Sequence, residues 1–245
     1  MRIVAGEWRG RPIEAPAGEN TRPTTDRVRE ALMSSLFSVR GGFDGAVVLD
    51  AFAGSGALGL EALSRGAQSC RFYDRDAKAQ AAVTRNIAAL KLPASRAQLS
   101  RADVMTAPPE RHRPPFDLVF LDPPYAMDAH EACGMLVRLR AAGALADGAL
   151  VVYEHANKDA AAVASALEDA GFAVLRAKKY GKTGTVIARA DERAAAAAVA
   201  ARQEAAAAQE RAQAAEAQEQ AQAAGVQARA AEGQAAPATG KEAGR

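Results

Sequence analysis

Cysteine is scarce in this 245-residue chain, and so are long apolar runs. Its two cysteines, Cys70 and Cys133, are far apart, without a Cys-x-x-Cys pair or a histidine-rich neighbourhood, so neither a disulfide framework nor a zinc site is expected. No apolar run reaches the roughly 18 residues of a membrane span, and the initial MRIVAGEWRG lacks the apolar stretch of a signal peptide. These absences predict a soluble, cytoplasmic protein with no metal and no membrane contact.

Large apolar residues are missing from the end of the chain. Between Asp191 and Arg245, alanine occupies nearly half of the positions and glutamine is the next most frequent residue, while Leu, Ile, Phe, Met, Trp and Tyr do not occur. Such a segment favours helix but has no apolar stripe to pack, and its two valines are too few for the core of a coiled coil. We therefore predict that 191–245 is a low-complexity tail, helix-prone or disordered.

The charge balance is nearly neutral. Residues 1–190 hold 25 basic and 21 acidic side chains, a mild excess that permits a nucleic-acid partner without indicating one. Seven arginines and no lysine occur in the segment 1–40. Guanidinium groups suit phosphates and base edges, although arginine outnumbers lysine throughout this chain and that general bias is an equal explanation.

The amino-terminal segment 1–40 predicts a small hairpin and a helix. Residues 2–5 and 10–13 are the predicted hairpin strands, with turn-prone glycines between them. A helix is predicted from Asp26, capped by Thr24 or Thr25, and it should end before Gly41 and Gly42. We take 1–40 as an amino-terminal arm and 41–190 as the main domain.

After residue 41, short apolar runs alternate with helix-length segments, which is typical of a parallel α/β sheet. The predicted strands are 46–49, 69–73, 97–100, 117–121, 149–153, 173–177 and 185–188, and the predicted helices are 58–65, 77–90, 129–140 and 159–170. The last two strands follow each other without a helix, so they should pair antiparallel at an edge. The expected fold is Rossmann-like α/β, with seven mostly parallel strands and an antiparallel edge hairpin.

A glycine-rich turn follows the first predicted strand in VLDAFAGSGALGLEAL. Asp50 ends the strand, and Gly54, Gly56 and Gly59 let the backbone turn sharply and approach a ligand before the next helix. This spacing also matches the dinucleotide pattern G-x-G-x-x-G, so a dinucleotide site has to be considered. The acid-rich FYDRD at the end of the second strand and the position of Asp50 argue against NAD.

Acidic residues follow the second and third strands. Asp74 is predicted to accept hydrogen bonds from ribose hydroxyls, because such acids bind nucleotides at this position of α/β folds. Asp76 is better placed to cap the following helix. Asp103, in RADVM, stands where an adenine amino group could bind.

The segment DLVFLDPPY carries the most specific chemistry. A buried strand delivers Asp122 to the carboxyl edge of the sheet, and Pro123 and Pro124 keep the next residues out of helix. The Asp122 carboxylate and the Pro123 carbonyl can both accept N–H bonds, and the Tyr125 ring can stack on a heterocycle. This set suits a planar substrate with an exocyclic amino group, whose lone pair has to be turned towards an electrophile.

Together, LDAFAGSG and DPPY resemble the class I S-adenosylmethionine-dependent methyltransferases that modify amino groups of nucleic-acid bases. More narrowly, the chain resembles the bacterial 16S ribosomal RNA guanine-N2 methyltransferases, the guanine-966 enzymes, over roughly residues 1–190. The motifs that carry this resemblance are MRIVAGEWRGRPI, TRPTTDRVREALMSSL, LDAFAGSGALGLEALSRGA, DLVFLDPPY, YEH and KKYGKTG.

The resemblance implies a monomeric methyltransferase acting on 16S ribosomal RNA or a small-subunit assembly particle. It implies cofactor contacts at Asp50, Ala51, Gly54, Gly56, Asp74 and Asp103, catalysis by Asp122, Pro123, Pro124 and Tyr125, and RNA contacts at Arg22, Thr24, Arg27 and Arg29. Apart from the resemblance, Trp8, the only tryptophan, is a further candidate that could stack on an RNA base, and packing over the body is an equal explanation for it. Asp74 stands where glutamate is usual in the family, Ala156 stands where serine is common, and the tail has no family counterpart.

Two other functions stay open at this point. A DNA adenine-N6 or cytosine-N4 methyltransferase would use the same DPPY chemistry, but no separate target-recognition domain is evident. A non-catalytic RNA-binding assembly factor could keep the cofactor fold. Glu154 and His155 invite a general-base role, but a structural role for His155 is favoured, since the methylated nitrogen loses its proton easily.

Overall fold

A seven-stranded sheet covered on both faces by helices forms the described part of the chain from residue 26 to residue 191. The computed structural model describes residues 1–16 and 26–191, and also isolated residues and short runs between 193 and 218. The helices are α1 (Asp26–Arg40), α2 (Ala57–Ser64), α3 (Ala77–Ala89), α4 (Ala129–Ala141) and α5 (Ala160–Asp169), with a 3-10 turn at Asn157–Asp159. The strands are β1 (Val47–Asp50), β2 (Ser69–Tyr73), β3 (Ala97–Ser100), β4 (Phe116–Leu121), β5 (Leu145–Ala156), β6 (Phe172–Tyr180) and β7 (Thr183–Ala190).

The strands lie in the order β3-β2-β1-β4-β5-β7-β6. Strands β1 to β5 are parallel, and β7 runs antiparallel to both β5 and β6. The predicted Rossmann-like α/β sheet with an antiparallel edge hairpin is therefore confirmed. The chain moves outward from β1 to β3 and then returns to β4, so the strand order reverses between β1 and β4, where ligands bind in open α/β sheets.

Alternation along the strands produces two apolar layers. On the arm side, residues such as Val48 and Phe120 pack under residues 1–16, α1, α2 and α3. On the opposite side, residues such as Leu49 and Val119 pack under α4 and α5. We call these layers the arm-side core and the α4–α5 core. Because side chains alternate between the two faces along each strand, the position of an acid at a strand end decides which of the two faces it lies on.

Residues 1–16, the described start of the amino-terminal arm, dock directly on the arm-side core. Its predicted hairpin is reduced to an isolated bridge between Arg2 and Pro12, with Ile3 N–H donating to the Arg11 carbonyl at 2.9 Å. Arg11 N–H donates to the Trp8 carbonyl at 3.0 Å instead of across the hairpin, and Gly10 N–H donates to the Ile3 carbonyl at 2.8 Å, so the ladder does not extend beyond this bridge. Ile3 and Ile13 are buried, so the arm forms part of the same packed unit as the sheet.

The predicted elements lie close to the observed ones, and the main difference is in β5. This strand begins at Leu145 instead of 149 and includes Ala146, Asp147 and Gly148, with a register shift against β4 between Phe116 and Leu118. Asp147 and Gly148 are both unfavourable in strands, and they interrupt the apolar run, so the pattern of apolar residues does not reveal this irregular strand start. The predicted capping residues Thr24 and Thr25 lie outside the described residues.

The chain divides into two units, Met1–Ala198 and Val199–Arg245. In the second unit, the described run 211–215 is helical and exposed, as the alanine-rich composition predicts. In the described parts of the chain, no helix is both long enough and apolar enough to cross a membrane.

Candidate active site

Carboxylates from four strands meet at the carboxyl edge of the sheet, on its arm side. They are Asp50 at the end of β1, Asp74 after β2, Asp122 after β4 and Glu154 near the end of β5. Leu121 of β4 pairs in parallel register with Tyr153 of β5. The next residues, Asp122 and Glu154, are therefore neighbours on one face of the sheet.

The glycine-rich turn between β1 and α2 holds the first of these acids in place. Gly54 and Gly56 have φ angles of 55° and 78°, in the left-handed region that favours glycine. A Cβ at Gly59 would lie 2.4 Å from the Phe72 ring, so glycine is required for α2 to pack this close to β2. Asp50 Oδ2 accepts a hydrogen bond from Gly59 N–H at 3.0 Å, and burial raises the pKa of Asp50 to about 7.

Asp74 and Asp76 have different roles. The side chain of Asp76 caps α3 by accepting hydrogen bonds from the N–H groups of Lys78 and Ala79, each at 2.9 Å. Asp74 instead accepts from Gly54 N–H and from Asp76 N–H, both at 2.8 Å. Burial raises the pKa of Asp74. Each carboxylate oxygen has two lone pairs, so Asp74 retains acceptor capacity towards a ligand.

Asp103 lies in the loop after β3, beside the same site. Its Oδ2 forms an ion pair with Arg75 at 3.1 Å, and its Oδ1 accepts a hydrogen bond from Met105 N–H at 2.9 Å. Three quarters of its side chain is buried. Asp103 is therefore fixed at the edge of the site, but both of its oxygens already have partners.

A cavity of about 550 Å³ opens along these acids, within the size range of small-molecule sites. The predicted cofactor and catalytic residues that line it are Asp50, Ala51, Gly54, Asp74, Asp103, Asp122, Pro123, Pro124 and Tyr125. Gly56 is not among the lining residues, and it faces the core instead, where a Cβ would lie 3.4 Å from the side chains of Phe72 and Val83. Among the described side chains, no group of three or more His, Cys, Asp or Glu is arranged to hold a metal ion.

The segment 122–125 leaves the sheet and forms one wall of this cavity. Pro123 is buried, whereas Pro124 and Tyr125 are exposed, and 48% of Tyr125 is accessible to solvent. The Tyr125 hydroxyl is hydrogen-bonded to Thr183 Oγ1 at 3.2 Å, which orients the ring. Burial and the neighbouring carboxylates of Glu154 and Asp50 raise the pKa of Asp122 well above its ordinary value.

A second cavity, of about 150 Å³, lies against the same wall. It is lined by residues after β4, after β5 and in α5, including Lys158 and Asp159. Both cavities are bordered by Pro123, Pro124, Tyr125, Met127 and Glu154. The two cavities therefore adjoin along this segment, and groups bound in them would approach each other there.

His155 borders the second cavity but is held by the sheet. Its side chain is 5% exposed, and Nδ1 is hydrogen-bonded to the Ala156 carbonyl at 2.8 Å. The ring packs on Gly184 of β7, where a Cβ would lie 2.4 Å from it. These contacts support a structural role for His155.

Two of the predicted RNA-contacting residues are described at or near the surface. Arg27 is exposed on α1. Trp8 is partly buried on the arm-side core, and the Arg96 guanidinium lies 5.2 Å from its ring centroid. Arg22 and Thr24 lie outside the described residues.

The expectation that Arg29 faces RNA is wrong, because its side chain is fully buried. Its Nη2 donates to Asp26 Oδ1 at 2.8 Å and to the Arg2 carbonyl. Helical spacing explains this position, since residue 29 lies on the same face of α1 as buried Leu32 and Leu36. Arg29 therefore holds the arm in place, although it also borders the large cavity.

Glu61, a fully buried acid in α2, was not predicted as part of the site. It accepts hydrogen bonds from Val4 N–H at 2.8 Å and Ala5 N–H at 3.0 Å. It also pairs with Arg65 at 2.9 Å and Arg29 at 3.5 Å. A glutamate within the apolar helix ALGLEALS was the available signal, because an acid on such a helix is buried only with partners.

Asn86 of α3 links the arm to the glycine-rich turn. Its Nδ2 donates to the Ser55 carbonyl at 2.9 Å and to the Glu14 carbonyl at 3.0 Å, and its Oδ1 accepts from Glu14 N–H at 2.9 Å. No sequence pattern marks this asparagine, since its partners are distant in the chain. The turn is therefore positioned partly by the arm.

Residues 1–189 match the model of the family described as "conserved hypothetical protein 95". The chain belongs to this family. The match covers the arm and all of the sheet except the last residue of β7, and it stops before the alanine-rich tail.

Sequence relatives of this family member include proteins named for ribosomal RNA methylation. The Escherichia coli (strain K12) protein named "ribosomal RNA small subunit methyltransferase D" is 40% identical over 154 residues, covering 63% of this chain and 74% of the relative. YlbH of Bacillus subtilis is 39% identical over 190 residues, covering 76% of this chain and 97% of the relative.

Solved structures show the same fold. The Escherichia coli protein yhhF matches with a TM-score of 0.63 and 33% identity, over 78% of this chain and 98% of that chain. Magnesium protoporphyrin IX methyltransferase of Synechocystis matches with a TM-score of 0.53 and 17% identity, over 71% of this chain and 87% of that chain. The fold is the Rossmann-like fold of class I methyltransferases.

Proposed function

We propose that this protein transfers a methyl group from S-adenosylmethionine to the N2 amino group of guanine 966 in 16S ribosomal RNA. The observation that carries this proposal is the segment 122–125, which forms a wall shared by two cavities. A cofactor in the large cavity and a base against the small one would meet at Asp122 and Tyr125. Relatives named for small-subunit ribosomal RNA methylation support the choice of RNA.

The large cavity fits S-adenosylmethionine in its chemistry as well as its size. Six carboxyl side chains but only two guanidiniums are among its described lining residues, which suits a ligand with positive charge and hydroxyl groups. Asp74 would accept the ribose hydroxyls, Asp103 would take the adenine, and Asp50, Ala51 and Gly54 would hold the methionine part. When bound, the cofactor supplies an electrophilic methyl group on a sulfonium.

The chain's own residues prepare the amino group. Asp122 and the Pro123 carbonyl accept the two N–H bonds of guanine N2 and turn its lone pair towards the large cavity. The exposed Tyr125 ring stacks on the base, and its bond to Thr183 limits its movement. The N2–methyl bond would form as the sulfur–methyl bond breaks, with S-adenosylhomocysteine as the leaving group. Asp122 stabilises the positive charge that develops on N2, and N2 then releases one proton to solvent.

RNA would approach over the arm. Arg27 and Trp8, together with Arg22 and Thr24 beyond the described residues, are the proposed contacts. We further propose that residues 1–40 act as the RNA-facing arm, 41–190 as the catalytic domain and 191–245 as a tail without catalytic role. The working form would be a cytoplasmic monomer.

The substrate can be tested with tritiated S-adenosylmethionine and purified protein. Small subunits and 16S RNA from a strain lacking this protein should be offered beside duplex DNA. We expect label in the small-subunit RNA, as N2-methylguanine at position 966 by mass mapping. Label in DNA would support a DNA methyltransferase instead, and the absence of S-adenosylmethionine binding in titration calorimetry would support a non-catalytic assembly factor.

A further inference from the structure

We infer that Glu154 selects guanine over other bases by accepting the N1–H of the target ring. This inference rests on the proposed function, and it concerns the base that the site recognises instead of the methyl transfer itself. Of the described residues that border both cavities, Glu154 is the one with a charged side chain. It therefore lies where the ring edge of the substrate has to meet the reacting groups.

The register of the sheet sets the position of Glu154 relative to Asp122. Because Leu121 and Tyr153 are paired, Asp122 and Glu154 extend from adjacent strands on the same face. Adjacent strands are about 4.8 Å apart, so the two carboxylates can accept from two neighbouring donors on one ring. With N2 at Asp122, the next group along the guanine edge, N1–H, is at Glu154.

Among the common bases, only guanine has a ring N–H donor, N1–H, directly beside an exocyclic amino group that also donates. Adenine and cytosine carry an amino group next to a ring nitrogen that is itself an acceptor. That nitrogen would direct its lone pair at the Glu154 carboxylate, and neither group could donate. An unmade hydrogen bond at a buried charged group is costly, so the wrong base is rejected.

The rest of the chain keeps Glu154 in this position. It is 7% exposed and lies on β5 opposite Thr185 of the antiparallel strand β7. Burial between β4 and β7 keeps the Glu154 carboxylate at the junction of the two cavities. A buried carboxylate at the junction of two cavities is therefore suited to recognising a single N–H group of the substrate.

The test uses an RNA in which 2-aminopurine replaces the target guanine, assembled into small subunits like the guanine control. This analogue keeps the 2-amino group that accepts the methyl but has no N1–H. Wild-type protein should methylate guanine about 10- to 100-fold faster than 2-aminopurine, the usual range for one lost hydrogen bond to a charged group. Glu154→Gln and Glu154→Ala should bring the two rates within about 3-fold of each other.

Three controls separate selection from a structural role. Glu154→Asp keeps the carboxylate and should keep the preference for guanine. Asp159→Asn changes another acid of the small cavity, one that makes no side-chain cap bond to α5, and should leave the preference unchanged. Calorimetric titration with S-adenosylhomocysteine checks that every variant still folds and binds in the large cavity.

The possible outcomes are distinct. A preference for guanine that persists in Glu154→Gln and Glu154→Ala, with both substrates slowed equally, overturns the inference and leaves the proposed function intact. Equal wild-type rates on guanine and 2-aminopurine also overturn it. If the wild-type protein does not methylate the guanine substrate at all, the proposed function fails and the inference falls with it.

Discussion

The two faces of the sheet are built differently. The α4–α5 core is apolar, and its fully buried members include Leu136, Leu167 and Phe172. The arm side also has an apolar layer, but it buries Arg29 and Glu61 completely and leads into the strand-end acids. Charged groups are buried only at a cost in free energy unless they have partners.

This difference indicates that the two faces of the sheet have different roles. Apolar packing under α4 and α5 stabilises the sheet without specifying any chemistry. On the arm side, buried hydrogen bonds fix the arm, α2 and the glycine-rich turn relative to one another, through Glu61 and Asn86. We therefore expect changes on the two faces to separate stability from activity, and the following experiments test that separation.

The largest effect is expected at the arm-side edge. Asp122→Ala removes an acceptor for the target amino group and should lower methyl transfer at least about 100-fold. Binding of S-adenosylhomocysteine, measured by titration calorimetry, should stay within about 3-fold of wild type. Asp117→Ala, at the other end of β4 and paired with Arg40, is the matched control. Normal turnover in Asp122→Ala would show that the catalytic assignment is wrong.

Glu61→Gln should weaken the arm as well as the fold. It leaves Arg29 buried without its acidic partner in α2, which typically costs about 3 kcal/mol or more in unfolding free energy. Hydrogen exchange should then accelerate at the amides of Val4 and Ala5, and methyl transfer should fall. Urea unfolding and exchange mass spectrometry measure both effects.

Leu136→Ala is the comparison on the other face. Creating a cavity there should cost about 2–5 kcal/mol, similar to the arm-side change. Exchange in the arm and turnover per folded molecule should stay as in wild type. If both variants loosened the arm equally, the proposed division between the faces would not hold.

Asp50→Asn should change how stability depends on pH. The folded protein raises the pKa of Asp50 from 3.8 to about 7, so between these values it holds a proton that the unfolded chain has released. Unfolding free energy is therefore lost as pH rises through this window. Asparagine keeps an acceptor for Gly59 N–H but does not ionise, so it should remove this loss.

The expected gain of the variant over wild type is up to about 4 kcal/mol, growing from pH 4 to pH 8. Urea unfolding at both pH values, without cofactor, measures the difference. A difference that does not change with pH would mean that Asp50 ionises in the folded protein as readily as in the unfolded chain.

The smallest effect is expected outside the sheet altogether. Removal of residues 194–245 should leave the rate of methyl transfer to small subunits unchanged, since the family match ends at residue 189. Steady-state assays of full-length and shortened protein under identical conditions test this. A several-fold loss would assign the tail a role in substrate binding.

Local patterns in the chain were sufficient for most of the fold. Apolar runs of strand length, alternating with helix-length segments, predicted all seven strands and their antiparallel edge. The glycine-rich turn and DPPY identified Asp50 and Asp122 because both motifs need particular residues at adjacent positions. The early start of β5 was missed, because Asp147 and Gly148 interrupt the apolar run there.

Other parts of the site depend on contacts between distant segments. Arg29 looked like an RNA contact because arginine suits phosphates, yet its place on the buried face of α1 decides otherwise. Glu61 and Asn86 bind segments that lie far from them in the chain, so no local pattern reveals their partners.

The sequence by itself determined the order of elements, the glycine-rich turn and the acceptor residues of segment 122–125, because these follow from local periodicity and backbone preferences. Only the tertiary structure decided that Glu154 stands beside Asp122 and that segment 122–125 divides two cavities. Both depend on the register between β4 and β5, which is set when side chains from the whole chain pack on the two faces of the sheet.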